Sequence, residues 1–63
     1  MNLKLKLEIL RRHQSQYECA KALGISESLL SRIVRGRKDP TPTLRRKISR
    51  HLGISENEIF PKN

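Results

Sequence analysis

The chain has 63 residues, enough for one small domain that buries only about 60% of the surface its unfolded chain exposes. Lys and Arg number 14 against 6 Asp and Glu, and the resulting formal net charge of +8 predicts a surface that attracts polyanions. A single Cys cannot form an intramolecular disulfide, which favours a reducing, cytoplasmic setting. No apolar run approaches the length of a membrane span or a signal-peptide core.

The first segment is ambiguous, because Leu3 to Ile9 alternates apolar and polar residues as a strand would. A helix is favoured over about 3–13, since these residues are good helix formers and no second strand is available to pair with them. Leu3, Leu7 and Leu10 have i, i+4, i+7 spacing, which also favours a helix.

The string LGISE occurs twice, at residues 23–27 and 52–56, and each copy is typical of one helix ending and another beginning. Its Gly suits the left-handed residue after a helix, its Ser suits an N-cap, and its Glu suits the positive helix end. Ser15 with Glu18 has capping-box spacing, and Thr41-Pro42 is typical of an N-cap followed by proline. Further helices are therefore predicted at about 16–23, 27–35, 42–52 and 56–60, giving a single all-α domain over residues 1–63.

Only Gly24, Ile25 and Ser26 separate the second and third helices, and small Ala20 would let the two helices cross closely. This spacing predicts a helix-turn-helix, whose second helix lies in the DNA major groove. On a helical wheel Leu30, Ile33 and Val34 of that helix face inward. The residues that face outward are Ser28, Ser31, Arg32 and Arg35.

The positive charge is concentrated between Arg32 and Arg50, where eight basic residues stand against one acid, Asp39. This segment is interpreted as a phosphate-binding face. The alternative is a solvated surface that like charge keeps soluble.

The run SQYECAKALGISESLLSRIVRG, residues 15–36, resembles the XRE family, the phage Cro and lambda-repressor type of helix-turn-helix domain. The likeness extends through Asp39-Pro40 and Leu44 to Phe60, and so covers nearly the whole chain. It implies a compact five-helix fold, with the helix-turn-helix at helices 2 and 3, that binds operator DNA as a homodimer to regulate transcription.

The resemblance also implies roles for individual side chains. Base-reading positions correspond to Gln16, Glu27, Ser28 and Arg32. Positions near the sugar-phosphate backbone correspond to Ser31, Arg35, Arg37, Lys38 and Arg45. Alternatives stay open: Glu27 could serve only the helix dipole, while Gln16, Arg32 and Arg45 could be ordinary exposed helix residues.

The sequence departs from the family pattern in two places. Many members pair an Arg in helix 1 with a Glu late in the recognition helix, and the corresponding residues here are Ile9 and Val34. An apolar pair can replace a buried ion pair without loss of stability. Cys19 occupies a position usually held by Leu, which predicts a buried thiol that acts as a small hydrophobe.

Catalysis finds little support in the sequence, and no enzyme activity or cofactor is predicted. Cys19 with His13 or His51 would make a nucleophile and a base, but Cys19 is expected to face the core. The same three residues lack the paired spacing of a zinc site, so no metal is predicted. The only aromatic residues are Tyr17 and Phe60, too few for a base-stacking platform, and Phe60 is expected to close the core.

These observations predict a sequence-specific regulator of transcription that binds double-stranded DNA as a weak homodimer, with residues 54–60 as a guess for the dimer contact. The alternative is a protein-interaction module, such as an antitoxin or co-regulator, with secondary DNA binding. Membrane-surface binding through the Leu/Lys-rich N-terminal segment is disfavoured, because it would require the first helix to remain undocked.

Overall fold

The computed structural model describes residues 1–61, and this part of the chain is all-helical. The five helices are α1 (Leu3–Arg12), α2 (Gln16–Leu23), α3 (Glu27–Val34), α4 (Pro42–Leu52) and α5 (Glu56–Ile59). The predicted fold class is confirmed. The predicted ends of α1, α3 and α5 each lie one residue too far, because His13, Arg35 and Phe60 are C-cap residues.

Hydroxyl side chains start four of the helices. Ser15, Ser26, Thr41 and Ser55 each accept a hydrogen bond from the backbone N–H three residues later, at 3.1 to 3.3 Å. A cap of this kind contributes about 1 kcal/mol to helix stability. Local chemistry therefore explains why the helix starts are where the sequence predicted them.

Every helix contributes to one apolar core. Its buried side chains are Leu5, Ile9, Cys19, Ala20, Leu23, Leu30, Ile33, Val34, Ile48, Leu52 and Ile59. Phe60 packs at the edge of this core and is only partly buried, so it does not close the core as completely as expected. Cys19 is fully buried, as predicted, and burial raises the pKa of its thiol.

The leucines whose spacing favoured a helix for α1 are not its buried residues. Leu3, Leu7 and Leu10 are 63%, 57% and 49% exposed, whereas Leu5 and Ile9 are buried. The LKLKLEIL pattern supplies Leu at i, i+4 spacing on more than one face, so periodicity alone did not determine which face turns inward.

Asn2 ties the start of α1 to two other helices. Its side-chain oxygen accepts from the Leu5 N–H at 3.0 Å and caps the helix. Its side-chain amide donates to the Ile59 carbonyl at 2.6 Å, and its backbone N–H donates to the Val34 carbonyl at 2.7 Å. One residue thereby joins the start of α1 to the ends of α3 and α5.

Glu8 is buried on α1 and is surrounded by cations of its own helix. Its carboxylate lies 3.0 Å from Arg12, 3.4 Å from Arg11 and 3.5 Å from Lys4. Burial raises the pKa of Glu8, but the Arg12 hydrogen bond and the neighbouring positive charges outweigh that effect and leave the pKa below its usual value. The i, i+3 and i, i+4 spacings of these residues could have revealed the cluster in the sequence.

We expect Glu8→Gln to lower the melting temperature at neutral pH. The melting temperature of the variant should also fall less steeply than that of the parent as the pH is lowered. Because the folded pKa is lowered, Glu8 stabilises the fold above its unfolded pKa of about 4.3, and this contribution is lost as the pH falls through the folded pKa. Thermal denaturation followed by circular dichroism between about pH 2 and 7 measures the effect. Exposed Glu58→Gln is the control, and an unchanged acid dependence in Glu8→Gln would contradict the assignment.

Candidate nucleic-acid interface

The turn between α2 and α3 has the form that the sequence predicted. Gly24 ends α2 in the left-handed conformation at φ 75°, and its N–H donates to the carbonyls of Ala20 and Lys21. The Ile25 N–H also donates to Ala20, at 3.0 Å, which completes a Schellman-type helix end. Ala20 is 1% exposed and packs in the core.

The third helix has an apolar inner face and a polar outer face. Leu30, Ile33 and Val34 are buried, whereas Glu27, Ser28 and Arg32 are exposed. Ser31 is half-buried beside them. Leu29 is partly buried and packs against the edge of the core. This arrangement leaves a row of hydrogen-bonding groups on the side of α3 that faces away from the protein.

Three cations follow the outer face of α3 along the chain. Arg35 caps the helix, Gly36 reverses the chain at φ 77°, and the Arg37 N–H donates to the Arg32 carbonyl at 2.9 Å. Arg35, Arg37 and Lys38 are all exposed. Pro40 is buried, so the end of this loop packs against the protein while its three charged side chains lie in solvent.

Gln16 and Arg45, the remaining predicted contacts, are less exposed. Gln16 is the first residue of α2 and is half-buried. The Arg45 guanidinium carbon lies 5.7 Å from the centre of the Phe60 ring, a cation–π distance. Its Nε is buried and has no hydrogen-bond partner within the described part of the chain. Arg45 is therefore partly engaged by the protein itself, a contact that helical spacing did not reveal.

The outer face of α4 carries a further basic stripe. Thr43, Arg46, Lys47 and Arg50 line a shallow surface groove there. The Lys47 ammonium would lie 3.7 Å from a Cβ placed on Gly24, so this stripe reaches the turn of the helix-turn-helix. Basic side chains therefore lie on both sides of the helix-turn-helix: on α4 beside the turn, and on the loop that follows α3.

Comparison with known proteins agrees with this geometry. The family model for the helix-turn-helix family HTH_3, the XRE-family domain, matches residues 5–59, and the chain belongs to that family. No curated protein and no solved structure gave a significant match. The protein therefore carries a DNA-binding helix-turn-helix domain of the kind typical of transcriptional regulators.

The family is one of DNA-binding domains rather than of enzymes. Within residues 1–61, no helix is long and apolar enough to cross a lipid bilayer. The N-terminal helix, which would have to be undocked to bind a membrane surface, is packed against α2, α3, α4 and α5.

We expect Gly24→Ala to destabilise the fold by about 1–2 kcal/mol, because a residue with a Cβ is strained in the left-handed conformation. The nearest neighbour of that Cβ would be the flexible Lys47 ammonium at 3.7 Å, so steric clash adds little. Urea denaturation measures the loss, with exposed Lys21→Ala as a control that adds an alanine at a helical position of α2. Equal stability of Gly24→Ala and the parent chain would contradict the strain argument.

Proposed function

We propose that this protein is a sequence-specific regulator of transcription of the Cro and repressor type, acting in the cytoplasm on double-stranded DNA. The observation that carries the proposal is the outer face of α3, where Glu27, Ser28 and Arg32 are exposed opposite a fully buried inner face. A helix with that division of surfaces fits the major groove, where base edges present a distinct pattern of donors and acceptors.

Each exposed side chain of α3 suits a different contact with a base. Arg32 can donate two parallel hydrogen bonds to one guanine, and the Ser28 hydroxyl can pair with several bases. Glu27 can accept from a cytosine amino group, although its place in the first turn of α3 also stabilises the helix dipole. Gln16, at the start of α2, is proposed as a further base or phosphate contact.

The residues around α3 suit the sugar-phosphate backbone. Arg35, Arg37 and Lys38 are exposed on the loop after α3, and Ser31 lies beside them on the helix. Contacts with phosphate position a protein on DNA without reading its sequence. Arg45 joins this set only if its guanidinium turns away from Phe60, so we rank it below the loop residues.

We expect Arg32→Ala to weaken binding to the preferred site by about 1–3 kcal/mol and to relax the preference at one base position. The reason is the loss of two directional hydrogen bonds to a single base. Fluorescence anisotropy with the preferred duplex and its single-base variants measures both effects. Lys6→Ala, which removes one exposed charge from α1, is the charge-matched control. Equal losses on preferred and random DNA would refute a base-reading role for Arg32.

We expect Lys38→Ala to weaken binding to all sequences alike and to reduce the slope of log affinity against log salt by about one. A phosphate contact releases condensed counterions whatever the base sequence. The same anisotropy assay across a salt series gives the slope. A change in sequence preference with an unchanged slope would place Lys38 at a base instead.

We further propose that the protein binds as a weak homodimer to two half-sites about one helical turn apart. Analytical ultracentrifugation should give a monomer at low concentration, self-association at high concentration, and two chains on each palindromic duplex. A monomer at millimolar concentration that also binds DNA as a single chain would contradict this assembly. Ile54 and Phe60, within the region suggested for the dimer contact, are partly buried against the core.

A second function is favoured by one observation, the exposed apolar stripe of α1. Leu3, Leu7 and Leu10 lie along this helix with between half and two thirds of their surface in solvent. Exposed apolar surface of this kind can mark a protein contact. An antitoxin or co-regulator that binds a partner protein and only secondarily DNA would use such a surface.

Selection of bound duplexes from a random pool distinguishes the two functions. A palindromic winner that binds about a thousandfold more tightly than a scrambled control supports the regulator. Absence of enrichment, with affinity that collapses uniformly as salt rises, refutes sequence-specific binding and supports the partner-binding module.

A further inference from the structure

Three residues with metal-binding side chains meet where α1, α2 and α4 pack together. His13 is the C-cap of α1, Cys19 lies on α2, and His51 lies in the last turn of α4. One ring nitrogen of each His and the Cys19 sulfur all lie within 4.8 Å of one another. The two histidines are 38 residues apart in the chain, so the linear spacing gave no indication of the cluster.

The two imidazole rings meet nitrogen to nitrogen. Their Nε2 atoms are 2.8 Å apart, whereas the ring centres are 5.0 Å apart and the ring planes differ by 13°. At this distance one Nε2 must carry a hydrogen and the other must offer a lone pair. A hydrogen bond explains the contact between the rings, but it does not involve the Cys19 thiol, which lies next to both.

We propose that His13, Cys19 and His51 form a three-ligand site for a divalent transition metal of the zinc class, with the fourth position open to solvent. Two imidazole nitrogens and one sulfur are ligands that Zn²⁺ prefers, and sites with three protein ligands leave one position for water. The proposal is independent of how the protein binds DNA.

The geometry requires only a small adjustment. With metal–nitrogen bonds of about 2.0–2.1 Å and a metal–sulfur bond of about 2.3 Å, tetrahedral ligand atoms lie roughly 3.3–3.6 Å apart. The two Nε2 atoms, 2.8 Å apart, must therefore separate slightly, and the imidazole rings rather than the buried sulfur make the adjustment. His51 is exposed, so its ring can reorient around the buried sulfur without disturbing the core. Cys19 is buried and held by α2, so the ligand at the base of the site is fixed in position.

The surrounding charge opposes a cation only in part. Arg12 precedes His13 in the chain, but its guanidinium is bound to the Glu8 carboxylate at 3.0 Å. The metal displaces the thiol proton of Cys19, and the resulting thiolate cancels one of the two positive charges that the metal brings.

Cobalt is a direct probe of the proposed site, because a bond between Co²⁺ and a thiolate produces a charge-transfer absorption band. The full-length protein, reduced and freed of metal with a chelator, is titrated with CoCl₂, and the cobalt is then displaced with ZnCl₂. The expected result is one cobalt per chain, the thiolate band, and loss of that band on addition of zinc. Absence of saturable binding, or saturation without the thiolate band, overturns the proposal.

Variants of the proposed ligands distinguish binding at this site from adventitious metal binding elsewhere on the protein. His51→Gln, at an exposed position, should lower zinc affinity at least tenfold, since even changes to residues behind the ligands cost about 10–100-fold. Cys19→Ala should abolish the charge-transfer band, and circular dichroism of both variants checks that they remain folded. Glu58→Gln, an exposed carboxylate on α5, should bind zinc as the parent does. Unchanged zinc affinity in His51→Gln would overturn the site.

Stability supplies a readout that does not depend on cobalt. A metal that binds only the folded chain at 100 times its Kd raises the folding equilibrium constant about a hundredfold. Zinc should therefore raise the melting temperature of the parent chain and of Glu58→Gln, and raise that of His51→Gln much less. An equal rise in all three proteins would show that zinc binds elsewhere and would refute the proposal.

Discussion

The turn at Gly24 is the constraint on which the rest of the structure depends. Burial of Leu30, Ile33 and Val34 favours docking of α3 by about 1.5–3 kcal/mol per side chain, but apolar burial is non-directional and does not select a crossing angle. The left-handed Gly24, with hydrogen bonds to the end of α2, restricts the directions that α3 can take. This short segment determines which face of α3 packs against the core, and the opposite face is thereby left available to DNA.

Positive charge is balanced differently in the first helix and in the segment from Arg32 to Arg50. Helix α1 gathers Lys4, Arg11 and Arg12 around one buried carboxylate, which offsets one of their three positive charges within the fold. The segment from Arg32 to Arg50 has a single acid among its eight cations, and these charges repel one another in the free protein. Binding of a polyanion relieves that repulsion, so the surface that weakens the isolated domain strengthens its complexes.

The features of this fold that could be predicted from the sequence are those that depend on residues close together in the chain. Ser26 and Gly24 act within a few residues of their own position, so caps, turns and the inner face of α3 were predicted correctly. Which face of α1 is buried was left open, because Leu occurs on several faces and the bond from Asn2 to Ile59 spans 57 residues of sequence. Contacts of Arg45 with Phe60 and of His13 with His51 depend on the packing of helices distant in sequence. The base-reading and phosphate-binding roles stay predictions.

The bridge that Asn2 makes to Ile59 also determines where the chain enters and leaves the domain. Residues 2 and 59 are joined by a hydrogen bond of 2.6 Å, so both ends of the helical unit lie at one point of its surface. A unit of this shape can be placed in a surface loop of another protein without stretching either connection. The closeness of residues 2 and 59 is the geometry that such an insertion requires.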